Sequence, residues 1–117
     1  MFRKMLQVVC LCAVGLPAVA RAVEQPPFDL GEPARIEAGR LRFSGSCTGY
    51  CHGNEGRGGR AVGFLNRNDF DAEYAFTTIL NGRRVSGVIM PQWGTTYSPD
   101  EIWELVAYLQ FLSKKQN

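Results

Sequence analysis

The chain has one histidine, and it directly follows the second of two closely spaced cysteines in Cys47-Thr-Gly-Tyr-Cys51-His52. No other feature constrains the fold as strongly. In covalent haem attachment each thiol adds to a porphyrin vinyl group, and the adjacent imidazole becomes the proximal iron ligand. The usual spacing is C-x-x-C-H, and here one further residue separates the cysteines. Positions three and four apart share a helical face, so a single helical turn can still present both sulfurs to one porphyrin edge.

Other chemistries compete for these residues. An exported chain can join Cys47 and Cys51 in a disulfide, which leaves the placement of the sole histidine unexplained. A structural zinc needs four ligands, and beyond the leader only Cys47, Cys51 and His52 are soft or borderline donors. Thiol–disulfide exchange pairs C-x-x-C with a strand-then-helix context, whereas Cys47 follows a helical pattern and precedes a glycine-rich loop.

Residues 1–22 read as a secretory signal peptide. Arg3 and Lys4 precede an apolar run from about Met5 to Ala20, and Ala20-Arg-Ala22 offers a small-x-small cleavage site. Cleavage after Ala22 delivers the protein to the periplasm with no membrane span. A retained anchor is the competing reading, and the run is shorter than the ~20 residues a spanning helix requires. Cys10 and Cys12 leave with the signal, as do Arg3, Lys4 and Arg21, so ten Lys and Arg face eleven Asp and Glu for a net charge of −1. No basic tract with interleaved aromatics survives, which excludes a nucleic-acid footprint. Residues 23–32 form a Pro-containing lead-in and 33–117 a single domain. Domains this small often complete their core with a staple or bound group, a part that a buried haem can fill.

Along that domain the pattern predicts helices and no strand. Pro33 suits the first turn of a helix, and Ile36, Gly39 and Phe43 give it a narrow apolar stripe running into Cys47. Residues 53–60 are too glycine-rich for helix and predict a loop folded around the proximal side of the haem. Asp71 caps a second helix from Ala72 to about Leu80, stopped by Asn81-Gly82. Ser98, Pro99 and Glu101 form a capping box, after which Ile102, Leu105, Val106, Leu109 and Leu112 recur at helical spacing.

Met90 is the only methionine left after Met1 and Met5, and Pro91 biases it toward extended backbone. A lone methionine is elsewhere a core filler. Downstream of a haem motif, in a stiffened loop, its thioether is the candidate second iron ligand. A His/Met pair favours ferrous iron and a comparatively high potential.

With these residues in view, the chain resembles a small class I cytochrome c with one haem over Pro33 to Leu112. Gly39 and Phe43, Cys47/Cys51/His52, Met90-Pro91 and Leu105-Val-Ala-Tyr108-Leu109 carry the resemblance. It implies an all-α cytochrome c fold in which Gly39 and Phe43 pack against Leu105 and Tyr108 around one covalent haem c. Two departures stand out. The motif has three intervening residues, and the Pro whose carbonyl often orients the proximal histidine is absent from Arg60-Ala-Val-Gly-Phe-Leu65, so another carbonyl must serve. The Met90-Pro-Gln-Trp93-Gly94 segment is similar to that of cytochromes serving periplasmic quinoprotein alcohol dehydrogenases. This implies a periplasmic dehydrogenase as electron donor and a terminal oxidase or other cytochrome as acceptor.

The resulting expectation is an exported electron carrier that is not an enzyme. His52 and Met90 hold the iron, and Cys47 and Cys51 tether the ring. An open sixth site would instead make a haem enzyme or gas sensor, and absence of haem a thiol–disulfide protein. Trp93, Arg83 and Arg84 are candidate propionate contacts, against a plain reading as solvated surface and packing.

Overall fold

The computed structural model describes residues 25–116. The expected signal peptide, residues 1–22, lies outside the described residues. Three helices form the frame: α1 over Pro33–Ser46, α2 over Ala72–Asn81 and α3 over Pro99–Ser113. Among the described residues no helix is long and apolar enough to cross a membrane.

Each helix starts where its local chemistry dictates. Pro33 opens α1, and the Asp71 carboxylate accepts from the Tyr74 amide at 2.8 Å to open α2. At α3 the capping box is complete, with the Glu101 amide donating to Ser98 Oγ at 3.3 Å and the Ser98 amide to Glu101 Oε2 at 2.8 Å. Such reciprocal caps satisfy amide donors that a helix start otherwise leaves unpaired.

The α1–α3 crossing forms the centre of the molecule. A Cβ at Gly39 would lie 2.0 Å from the Glu104 carbonyl oxygen and 2.9 Å from Tyr108 Cβ, so only a residue without a side chain lets these backbones meet. One turn on, the Phe43 ring packs edge-on to Tyr108 at 5.3 Å, and Leu105 is fully buried in the same cluster. The expected contact is therefore present, with Gly39 meeting the backbone at Glu104. The Glu104 carboxylate receives Arg35 at 2.9 Å and Arg42 at 2.6 Å, which compensates its partial burial. Against the other side of α3, Phe76 of α2 stacks on Trp103 at 4.3 Å. Replacing Gly39 by leucine should cost roughly 1–3 kcal/mol or more through overpacking. Thermal unfolding of the holoprotein checks this, and an unchanged midpoint would mean that the helices do not cross at Gly39.

One expectation is corrected. The segment between α2 and α3 contains an antiparallel hairpin, β1 over Arg83–Val85 and β2 over Val88–Met90, rather than loop alone. Val85 pairs with Val88 across a two-residue turn in which Ser86 has φ 49° and Gly87 φ 78°, the left-handed pair that matches strand twist in tight hairpins. Three-residue strands fall below what hydrophobic alternation can reveal. They leave the molecule predominantly helical, as predicted.

Candidate functional site

Beyond α1 the chain enters a wide turn, Thr48–His52. Its hydrogen bonds span five residues: the His52 amide donates to the Cys47 carbonyl at 3.1 Å and the Gly53 amide to Thr48 at 3.0 Å. A turn of this π type holds one residue more than an α-helical turn. The extra residue of C-x-x-x-C-H is thus absorbed within the turn. The sequence led us to expect a regular helical turn, but Gly49 (φ −2°, ψ −116°) lies outside helical geometry.

His52 is buried. The loop predicted over residues 53–60 folds back onto it, with the Gly58 amide donating to the His52 carbonyl at 2.7 Å and the Ala61 amide to that of Cys51 at 3.0 Å. This brings the Val62 carbonyl to 3.0 Å from His52 Nδ1. A carbonyl can only accept, so Nδ1 carries the proton and, in the neutral ring, Nε2 keeps its lone pair. Val62 is the orienting carbonyl whose identity the missing Pro left open. Side-chain patterns carry no signal for it, since any residue offers that group. Phe64 packs against the imidazole at 4.9 Å and fixes the ring from one side.

The hairpin presents Met90 to the cavity that His52 also lines. Its register sets Arg83 opposite Met90 and Val85 opposite Val88. Because side chains alternate along a strand, these four share one face, and all four line a cavity of about 630 Å³ together with His52. The end of the hairpin is fixed at Gly82, where φ is 71° and a Cβ would come within 2.6 Å of the Met90 carbonyl oxygen.

The cavity's other walls include Phe64, Phe70, Ala75, Ile79 and Leu109. A cleft of this size with mainly apolar walls suits a large, mostly apolar group. An imidazole with a free Nε2 and a thioether on the walls suit an iron porphyrin.

Cys47 and Cys51 are half-buried in the turn ending at His52, are not disulfide-bonded, and are not among the cavity-lining residues. Burial, with a smaller contribution from Cys51, pushes the Cys47 thiol up to about 11. That is opposite to the lowering that activates redox cysteines, and it weighs against thiol–disulfide exchange. Among the described residues no group of three or more His, Cys, Asp or Glu is placed to hold a metal ion. Of the candidate propionate contacts, Arg83 lines the cavity, while Arg84 and Trp93 do not; Trp93 stacks on Tyr97 at 5.5 Å. Arg60, which sequence reasoning passed over as a cofactor contact, is also on the wall.

Comparison with known proteins bears on the family and the fold. Residues 34–109 match the family model described as cytochrome c oxidase, cbb3-type, subunit III. The chain is 33% identical over 92 residues to the cbb3-type cytochrome c oxidase subunit FixP of Azorhizobium caulinodans, a stretch covering 74% of this chain and 30% of that protein. It is similar in structure to cytochrome cL of the marine methylotroph Methylophaga aminisulfidivorans, with TM-score 0.58 and 25% identity over 70% of this chain and 55% of the other. The chain thus spans less than two thirds of each of these relatives. It belongs to the cbb3-type cytochrome c oxidase subunit III family of class I c-type cytochrome domains, whose cofactor is covalent haem c and whose role is to carry electrons rather than to catalyse bond chemistry.

Proposed function

We propose that the protein is an exported, periplasmic monohaem carrier comprising residues 33–117, in which Cys47 and Cys51 tether the haem and His52 and Met90 are its axial ligands. The observation that carries this reading is the shared cavity: His52, oriented through Nδ1 by Val62, and Met90, held by the hairpin, line one space of about 630 Å³. Bound haem supplies a one-electron iron couple. The chain's own contribution is to orient His52 through the Nδ1–Val62 carbonyl bond so that Nε2 is the nitrogen available to a metal, to bring a thioether to the same cavity, and to exclude water with Phe64, Ile79 and Leu109. With an imidazole and a thioether both in that cavity, substrate has no ready access to iron, and this favours carrier over enzyme or gas sensor.

The proposed donor is a periplasmic dehydrogenase of the quinoprotein alcohol dehydrogenase kind. The Met90-Pro-Gln-Trp93-Gly94 segment and the fold likeness to a methylotroph's cytochrome cL support it. A terminal oxidase or another cytochrome is the proposed acceptor, in keeping with the relation to an oxidase subunit.

Attachment is tested by replacing each cysteine singly with alanine. Cys47 and Cys51 bracket the wide turn that ends at His52, so wild type should carry two thioether bonds. Cys47→Ala and Cys51→Ala should each give a one-link haem with a shifted pyridine haemochrome band, or no holoprotein. A normal two-link spectrum in both variants would falsify the attachment.

A further inference from the structure

Where the cavity shared by His52 and Met90 opens to solvent it carries exposed charge without an ion-pair partner among the described residues. Three arginines line it: Arg60, Arg67 and Arg83. Arg67 is committed, since its guanidinium forks onto Asp69 with distances of 2.9 and 2.8 Å and donates to the Gly63 carbonyl at 3.4 Å. Asp71, the other carboxylate on the wall, is occupied as the cap of α2. Arg60 and Arg83 make no ion pair and no side-chain hydrogen bond among the described residues. The hairpin register turns Arg83 to the same face as Met90, and puts Arg84 on the opposite face with Ile89.

Two exposed, uncommitted guanidiniums at the edge of a mainly apolar cavity match a ligand with an apolar body and two carboxylates that reach solvent. Haem has that composition. We propose that Arg60 and Arg83 bind the two haem propionates, so that they, together with the ligands, decide which porphyrin edge is held at this end of the cavity. The inference rests on the reading that haem fills the cavity between His52 and Met90. It selects Arg83 from the residues that sequence suggested, adds Arg60, and releases Arg84 and Trp93 from the role.

Pairing with a guanidinium holds a carboxylate ionised to lower pH. A propionate deprived of its partner takes up a proton at higher pH. Protonation removes negative charge near the iron and favours the ferrous state, so the potential of such a variant should rise as pH falls.

The test compares holoprotein of wild type with Arg60→Gln, Arg83→Gln and, as a surface control, Arg84→Gln. Reduction potential is measured across about pH 5 to 8, the range in which unpartnered carboxylates with raised pKa titrate, beside the pyridine haemochrome and the low-spin spectrum. Wild type and Arg84→Gln should be nearly flat, and each cavity variant should slope upward toward acid while keeping two-link, low-spin haem. Arg60→Lys and Arg83→Lys keep the charge without the fork and should slope less. They also provide the reading if a glutamine variant does not mature. Profiles parallel to wild type in the glutamine and lysine variants, with ligation intact, overturn the propionate assignment alone. Wild type that lacks covalent haem or His/Met spectra overturns the underlying reading instead.

Discussion

Replacing Met90 with alanine should lower the reduction potential by on the order of a hundred millivolts or more, a modest part of the ≈0.8 V over which axial ligands tune haem. The thioether favours ferrous iron, and this preference goes with it. The oxidised protein should also lose the weak far-red sulfur-to-iron band, shift from low spin, and bind cyanide or carbon monoxide at the vacated position. Structural collapse is an inadequate alternative explanation, because Met90 sits at the end of β2 with its backbone set by pairing to Arg83 and by the close approach of Gly82. Met90→His should restore a low-spin spectrum without restoring the potential. If the far-red band survives in Met90→Ala, the sulfur is not its source and the second ligand is misassigned.

Protein that cannot attach haem should lack a cooperative unfolding transition. Without haem, Phe64, Phe70, Ala75, Ile79 and Leu109 line a cleft of about 630 Å³ and lack the apolar group that would cover them, and a domain this small has little other core to spare. The apo chain therefore collapses, admits water or unfolds, and none of these preserves native packing. The α1–α3 crossing is the part best able to persist, since Gly39, Phe43 and Tyr108 pack on one another and do not themselves line the cavity. A Cys47→Ala/Cys51→Ala double variant purified without haem should show reduced helicity by circular dichroism and a broad melt. A sharp transition at the holoprotein's temperature would mean that the chain completes its core unaided.

Much of this arrangement was legible in residues whose identity is itself the constraint. Gly39 marks a backbone contact because only hydrogen fits against Glu104. Ser98 and Glu101 specify a helix start through their own side chains. Met90-Pro91 specifies a thioether on extended backbone, which the structure places at the end of β2. What escaped the sequence is carried by backbone or by register. The Val62 carbonyl orients His52 whatever its side chain, and Arg60 acquires significance only when the loop returns to the His52 turn. The hairpin was missed because its strands of three residues are mostly exposed, with Arg84 and Ile89 on one face and Arg83, Val85, Val88 and Met90 on the other. Nor does C-x-x-x-C spacing announce a π-type turn. A regular helical turn accommodates the sulfurs equally well on paper, and Gly49 decides otherwise by leaving helical geometry.

The central claim is that one haem is covalently held here between His52 and Met90. It is tested most directly by the visible spectrum of protein purified from a periplasm, oxidised and reduced, with the intact mass of the same sample. The expected mass is that of residues 23–117 plus one haem. The expected spectra are those of a two-link, low-spin c-type haem with the far-red band when oxidised, unchanged by carbon monoxide when reduced. A haem-free mass, or a haem protein that lacks the band and binds carbon monoxide readily, would contradict the account, the latter in favour of a ligand-binding haem protein.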